Sequence, residues 1–380
     1  MSFRTSSDGK GSLLEHSLHT RGITRREFLQ FCTALAAALA LPATYGERIA
    51  RALEARTEKL PVIWLEFQDC AGCSESFTRA YRTSAAQVVL DLISLEYHET
   101  LMAPSGKQAE AAREALVERG GYLLVVEGSV PRKEFCTIGG KSAEEILAET
   151  AKNAAAIVAV GTCAAFGGLP QAHPNPTQAK GVMEIIRDKP VINLPGCPVN
   201  GENITAVIVH FLTFGELPAT DEHKRPLFLY GALIHDNCPR RGHFDRGEFV
   251  REWGDEGHKK GWCLYKMGCR GPVAFANCPL IMWNDSTSWP IGSGHPCLGC
   301  TEPGFWDRGE GFYYPVKIQE VAPPAYYPSS IARPGKQPDA TSYTISGAVV
   351  GAAAGAAAAW ALLKNRPSEE KRSAEESKEA

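Results

Sequence analysis

A short apolar run that ends on two thiols is the feature that most constrains this chain. Residues 62–67 (VIWLEF) are followed, after two polar residues, by the motif Cys-Ala-Gly-Cys, whose thiols belong to Cys70 and Cys73. Aromatic and β-branched residues suit a buried strand, and the glycine lets the backbone turn tightly enough for both sulfurs to face one point. Such a pair alone fits a redox-active dithiol, half of a zinc site or half of an iron–sulfur site, so the remaining cysteines must decide.

Apolar and helix-forming segments alternate from this run to about residue 214. The strand candidates are residues 62–67, 122–126, 156–160 and 191–194. The helix candidates are residues 85–95, 107–119, 142–153 and 179–187. This alternation predicts an α/β domain over residues 60–220, built on a doubly wound parallel sheet.

Cysteine motifs follow three of the four strand candidates. Cys70 and Cys73 come after the first, Cys163 after the third and Cys197 after the fourth. In doubly wound sheets, sites form at the carboxyl ends of the strands. We therefore expect these four thiols to converge on one crevice.

Residues 226–321 show no clear strand or helix period and are rich in Gly, Pro, Trp and Cys. Their candidate ligands are His235, Cys238, Cys263, Cys269, Cys278, Cys297 and Cys300. A region of this size with little regular structure needs cross-links, and inorganic clusters would supply them. We predict an irregular cluster-binding domain here.

Both termini carry signals for export and anchoring. Within residues 1–50, adjacent arginines precede an Ala-rich apolar run that includes Cys32, which predicts a twin-arginine signal peptide for a protein exported already folded. Residues 322–340 form a Pro-rich linker, and residues 343–363 carry no charge and are long enough to cross a hydrocarbon core of about 30 Å. Basic residues open the tail at 364–380, so the tail is predicted to be cytoplasmic and the body periplasmic.

Charge and cysteine content narrow the function. A net charge of −3 gives no basic excess for nucleic acid, so no nucleic-acid partner is expected. Twelve cysteines in 380 residues are far too few for a small disulfide scaffold, and their clustering favours metal. Cys136 stands in no motif and is predicted to bind no metal.

The candidate ligands fall into three sets by position. The first set, from the sheet region, is Cys70, Cys73, Cys163 and Cys197. The second set is His235, Cys238, Cys263 and Cys269. The third set is Cys278, Cys297 and Cys300. A structural zinc site is closed and tetrahedral, which the third set cannot complete, whereas iron–sulfur clusters accommodate all three sets.

Five motifs follow one another in an order that resembles one family. They are Asp-Cys-Ala-Gly-Cys-Ser-Glu-Ser at 69–76, Gly-Thr-Cys at 161–163, Pro-Gly-Cys-Pro at 195–198, His-x2-Cys at 235–238 and Gly-His-Pro-Cys-Leu-Gly-Cys at 294–300. This order resembles the small subunit of a membrane-bound, periplasmically oriented nickel–iron uptake hydrogenase, leader and anchor included. The resemblance implies a flavodoxin-like first domain.

The resemblance also implies cofactors and partners. In that family the first set holds a proximal 4Fe-4S cluster, the second a distal 4Fe-4S cluster and the third a medial 3Fe-4S cluster. Hydrogen is split at a nickel–iron centre in a separate large subunit, so no catalytic residue is expected in this chain. Electrons then pass through the three clusters to a membrane cytochrome b or another quinone-linked subunit.

Two positions bear on oxygen tolerance. Oxygen-tolerant members carry two further proximal cysteines where this chain has Gly72 and Gly168, which implies a conventional proximal cluster.

Two other functions stay open. One alternative is another exported iron–sulfur electron-transfer subunit, such as one related to a respiratory complex I component. The other is an exported protein with structural zinc.

Overall fold

The computed structural model of the chain describes residues 24–38, 44–54, 58–80, 93–284 and 286–307. The predicted linker, membrane helix and cytoplasmic tail lie outside these ranges, as does the end of the irregular region from residue 308. Among the helices in the described ranges, none is both long and apolar enough to span a bilayer.

A five-stranded parallel sheet forms the centre of the first region, as the alternation predicts. Its strands are β1 Leu60–Glu66, β2 Ile93–His98, β3 Tyr122–Glu127, β4 Ala154–Val160 and β5 Val191–Leu194. They lie in the order β2-β1-β3-β4-β5, which is the order of flavodoxin-like sheets. Every residue of β3 is buried, because helices cover both faces of such a sheet.

The helices of this region begin at Arg25 and continue to residue 214. They are α1 Arg25–Ala38, α2 Tyr45–Glu54, α3 Gly72–Thr78, α4 Lys107–Arg119, α5 Ala143–Ala151, α6 Gly161–Phe166, α7 Val182–Ile185 and α8 Gly201–Phe214. A small antiparallel hairpin pairs Thr137–Ile138 with Lys141–Ser142. Short 3₁₀ turns occur at Lys133–Phe135 and Leu169–Gln171.

The strand register brings four strand ends into one row. Glu66 of β1 pairs with Glu127 of β3, and Glu127 pairs with Val160 of β4. Val160 pairs in turn with Leu194 of β5. The loops that carry the first four cysteines therefore leave the sheet side by side, as their positions in the sequence predict.

Two helix predictions are wrong in part. The segment 85–95 ends in a strand, because Ile93 opens β2 and pairs with Leu60 of β1; residues 85–92 lie outside the described ranges. Pairing with β1 overrides the helix-forming composition there. The segment 179–187 is helical only over α7, because Lys180 pairs with Val130 in a β-bridge and stays extended.

Helix α1, which lies within the predicted signal peptide, packs on α2. Phe28, Cys32 and Ala36 recur at four-residue spacing, so they lie on one face of α1, and all three are buried. They share a buried cluster with Ile49 and Leu53 of α2. The apolar face of α1 is thus covered by α2.

The second region is irregular, as predicted, within its described part. Its helices are α9 Leu227–Tyr230, α10 Arg241–Asp245, α11 Glu256–Lys259 and α12 Cys278–Ile281, with 3₁₀ turns at Ile234–Asn237, Tyr265–Met267, Gly271–Val273 and Phe305–Asp307. Ile234 and Leu264 share one buried cluster with Val199 and Ile204 of the sheet region. The two regions therefore have a common hydrophobic core.

Candidate cluster-binding sites

The first two thiols sit where β1 turns into α3. Ala71 adopts a left-handed φ of 55° at the start of this short helix, which places Cys73 in its first turn. Gly161, at the end of β4, approaches the same thiol: a Cβ there would lie 2.5 Å from the Cys73 sulfur. Only glycine fits at that point, because the backbone itself passes against the sulfur.

The first four thiols face one another at the row of strand ends. Burial raises the pKa of Cys73 well above its usual value, and Glu127, Cys163 and Cys197 raise it further. Burial also raises the pKa of Cys163 to about 11 and that of Cys197 to about 12, with Cys70 adding to both. Cys70 and Cys197 are exposed, so this set opens at the surface of the chain.

A buried carboxylate fixes the helix that carries Cys73. Glu127, only 1% exposed, accepts the backbone N–H groups of Cys73 at 3.0 Å and of Ser74 at 3.3 Å. It also accepts the Ser74 hydroxyl and the indole N–H of Trp64 at 3.1 Å. These donors belong to the first turn of α3 and to β1, so Glu127 ties the loop to the sheet. The sequence offers one signal for it, an acid at the end of a strand candidate.

A second buried acid lies beside the first. Glu66 accepts from His98, whose Nδ1 lies 3.2 Å away, and the other ring nitrogen of His98 lies 3.1 Å from the Ser74 hydroxyl. Burial, together with Glu127 and Glu66, raises the pKa of Asp69 to about 6. Three carboxylates therefore converge at the end of β1 and β3, directly before the first thiols.

The third set lines one cavity. Cys278, Cys297 and Cys300 face a space of about 370 Å³ together with Trp289 and Pro290. Burial raises the pKa of all three thiols, and the Cys300 thiol raises those of the other two further. The walls of this cavity are largely apolar.

The second set includes a buried histidine. His235 is 4% exposed, and burial, aided by the positive charge of Arg241, lowers its pKa to about 4. Its ring meets the edge of Phe244 at 4.6 Å between centroids. The imidazole is therefore neutral at physiological pH, which is the form that binds metal.

The thiols of this set are mutually close; Cys263 and Cys269 are buried, and Cys238 is half-buried. Burial raises the pKa of Cys263 to about 12 and that of Cys269 to about 11, with Cys238 contributing to each. Each of the three receives a backbone N–H from the residue two positions ahead: Arg240, Tyr265 and Gly271 respectively.

These environments fit thiolate-bound clusters. A buried thiol with a pKa near 11 stays protonated at neutral pH unless a metal supplies the positive charge that stabilises the thiolate. Backbone N–H groups directed at sulfur are a recognised means of tuning iron–sulfur clusters. The structure thus brings together the thiols of each predicted set, and all eleven candidate ligands lie in the described ranges.

Two family models match the chain. Residues 230–313 match the model of the C-terminal part of NiFe/NiFeSe hydrogenase small subunits, and residues 70–211 match that of the NADH ubiquinone oxidoreductase 20 Kd subunit. The uptake hydrogenase small subunit of Azotobacter vinelandii is 49% identical over 301 residues, which cover 78% of this chain and 84% of that protein. The quinone-reactive Ni/Fe-hydrogenase small chain of Wolinella succinogenes is 45% identical and covers 91% of this chain and 97% of that protein.

The chain belongs to the nickel–iron hydrogenase small subunits. A solved [NiFeSe] hydrogenase from Desulfomicrobium baculatum agrees in fold, with a TM-score of 0.63, 34% identity, and coverage of 68% of this chain and 99% of that chain. The resemblance of the five motifs to nickel–iron hydrogenase small subunits is confirmed.

In this hydrogenase subunit, the two glycines that bear on oxygen tolerance lie against the first set. A Cβ on Gly168 would come within 2.6 Å of the Cys163 sulfur, and one on Gly72 would lie 3.1 Å from the Cys70 sulfur. A side chain at either position would therefore crowd the first set, and the conventional type of the proximal cluster stays a prediction.

A buried arginine holds the loop after Cys300, and sequence reasoning missed it. Arg225, 3% exposed, donates to Asp221 at 2.7 Å, to Glu302 at 2.8 Å and to the Thr301 carbonyl at 3.1 Å. Nothing in the sequence distinguishes this arginine from the surface ones.

Cys136 is half-buried and packs against a separate hydrophobic cluster. It joins none of the three sets.

Proposed function

We propose that this hydrogenase small subunit holds three iron–sulfur clusters and relays electrons from H2 oxidation in the large subunit to a membrane acceptor. The observation that carries the proposal is the pair of hydrogen bonds between consecutive sets. The backbone N–H of Cys197 donates to the Cys300 sulfur, between the first and third sets, and the backbone N–H of Cys297 donates to the Cys269 sulfur at 3.4 Å, between the third and second. The third set is therefore a direct neighbour of both other sets.

The ligands in this proposal are the predicted ones. The proximal 4Fe-4S cluster takes Cys70, Cys73, Cys163 and Cys197. The medial 3Fe-4S cluster takes Cys278, Cys297 and Cys300. The distal 4Fe-4S cluster takes His235, Cys238, Cys263 and Cys269. When bound, these clusters supply one-electron transfer.

The chain's own residues set the conditions for that transfer. Burial of the medial thiols excludes water, and the N–H of Gly299, 3.3 Å from the Cys297 sulfur, stabilises negative charge on that sulfur. His235 contributes no charge, because its buried imidazole is neutral, so the distal site carries one negative charge fewer than a site of four thiolates. That difference raises the potential of the distal site relative to an all-thiolate version.

The surface position of the first set indicates where the large subunit binds. Exposed Cys70 and Cys197 make this the set that can approach a cofactor in another chain. The Wolinella relative is named quinone-reactive, which supports a cytochrome b or another quinone-linked membrane subunit as acceptor. Export by the twin-arginine route to the periplasmic side and a single C-terminal anchor complete the proposal.

Two alternatives are weaker on specific grounds. The match of residues 70–211 to a complex I subunit family favours another iron–sulfur electron-transfer subunit, but the model matched by residues 230–313 is specific to hydrogenases. Structural zinc accounts for the four-ligand sets, yet the three thiols of the medial set cannot close a tetrahedral zinc site.

Metal analysis of the complex purified with its large subunit tests the proposal. We expect iron and acid-labile sulfide, nickel in the co-purified large chain, a three-iron EPR signal after oxidation, and hydrogen-dependent dye reduction. Zinc without sulfide would overturn the cluster assignment. Clusters without nickel or hydrogen-dependent activity would favour the other electron-transfer function.

A further inference from the structure

One buried hydroxyl joins three of the cysteine motifs. Thr162, 1% exposed, stands between Gly161 and Cys163 at the start of α6. Its hydroxyl accepts the backbone N–H of Gly196 at 2.8 Å and donates to the carbonyl oxygen of Cys300 at 2.5 Å. Its own backbone N–H donates to the Gly196 carbonyl at 2.9 Å.

These bonds connect two predicted clusters. Gly196 directly precedes Cys197, so the bonds between Thr162 and Gly196 hold two proximal loops together. The bond to Cys300 reaches a medial ligand 138 residues away in the sequence. The Cys300 sulfur in turn receives the backbone N–H of Cys197, which gives a second contact between the same loops.

We propose that Thr162 is a positioning residue that fixes the medial ligand loop against the proximal site through the carbonyl of Cys300. This inference rests on the proposed function. A threonine hydroxyl can both donate and accept a hydrogen bond. Here it accepts from the loop of Gly196 and donates to the loop of Cys300. In a buried setting such bonds are directional, and losing one leaves its partner groups unsatisfied.

The loop would survive loss of this bond. Arg225 holds it from the other side through the Thr301 carbonyl and the Glu302 carboxylate. Removing the Thr162 hydroxyl should therefore shift the loop locally rather than unfold the region. Because hydrogen bonds and burial around a cluster set its potential, a local shift of Cys300 should appear in the medial cluster.

The test compares Thr162→Val, which keeps the shape but removes the hydroxyl, with Thr162→Ser, which keeps the hydroxyl. Both are made in the heterodimer with its large subunit and examined by EPR during redox titration, with iron content measured alongside. We expect Thr162→Val to alter the line shape and the midpoint potential of the three-iron signal. Hydrogen-dependent dye reduction should slow about 10-fold, the lower end of the range seen when residues that support metal ligands are replaced. Thr162→Ser should stay near wild type.

A matched control tests whether loss of any buried threonine hydroxyl has this effect. Thr205 on α8 is also 1% exposed, and within the described residues its hydroxyl makes no hydrogen bond. Thr205→Val should leave the three-iron signal unchanged. If Thr162→Val yields no heterodimer, Thr162→Ala provides the same loss of hydroxyl in a smaller side chain.

Three outcomes would overturn the inference. The first is an unchanged three-iron signal and potential in both Thr162→Val and Thr162→Ala. The second is an equal change in Thr162→Ser, which would assign the effect to packing of the methyl group. The third is an equal change in Thr205→Val. Absence of a three-iron signal from the wild-type complex would instead contradict the proposed function itself.

Discussion

The backbone N–H of Cys297 donates to the sulfur of Cys269 at 3.4 Å. These residues belong to different predicted clusters, medial and distal, and a second bond from the Arg270 N–H to the Cys297 carbonyl at 2.9 Å joins the same loops. The medial loop is therefore bonded to both neighbours, to the distal loop here and to the proximal loop through Thr162. Hydrogen bonds that involve the backbone therefore hold the three ligand loops at a fixed spacing.

Glu127→Gln should destabilise the loop that carries Cys73. The carboxylate accepts four donors, and an amide would turn one acceptor into a donor facing N–H and O–H groups. We expect a loss of about 1–3 kcal/mol in the free energy of unfolding, the cost of leaving buried donors unsatisfied, measured by denaturant titration. Glu134→Gln is the control, because the ion pair of Glu134 with Arg132 is half exposed. An equal loss in both variants would contradict this role of Glu127.

His235→Cys should lower the potential of the distal site. A thiolate adds a negative charge where the buried imidazole adds none, so we expect a shift on the order of 100 mV, measured by redox titration of the EPR signals. The control is His210→Gln on α8, where the ring contacts Phe214. A distal potential that rises or stays constant in His235→Cys would refute the charge argument.

Pro290→Cys should convert the medial site. Pro290 lines the same cavity as the three medial thiols, so a thiol at this position supplies the fourth ligand that the set lacks. We expect the three-iron EPR signal to fall to a small fraction of its wild-type intensity while the iron content rises. Pro290→Ala adds no ligand and should retain the signal. An unchanged three-iron signal in Pro290→Cys would show that this position cannot reach the cluster.

Ser142→Ala should weaken α5 in a pH-dependent way. Ser142 and Glu145 form a capping box, and hydrogen bonds from the Ser142 backbone and hydroxyl lower the pKa of Glu145 to about 2. A depressed carboxyl pKa contributes stability above its unfolded value near 4.3 that is lost as the pH falls towards 2. We expect Ser142→Ala to cost about 1 kcal/mol at pH 7 and less at pH 3, by thermal unfolding. The control is Ser105→Ala, at an exposed position. A larger loss of stability for Ser142→Ala at pH 3 than at pH 7 would contradict the expected pH dependence.

The features that sequence reasoning missed all depend on partners that are distant in the chain. The segment before Ile93 has helix-forming composition, but β2 exists because β1 offers a free edge to pair with. Glu127 and Arg225 look like ordinary charged residues until the fold buries them beside loops that need their hydrogen bonds. Local propensity describes neither effect, since both depend on partners distant in the chain.

The sequence by itself determined the parallel α/β sheet, because strand and helix periods are local properties of the chain, and it predicted the grouping of the eleven candidate ligands from the order of the cysteine motifs. Only the tertiary structure decided how the groups meet. The hydroxyl of Thr162 reaches Gly196 across 34 residues and Cys300 across 138, and no spacing rule connects such positions. They become neighbours because parallel strands end at one edge of the sheet and the second region folds against that edge.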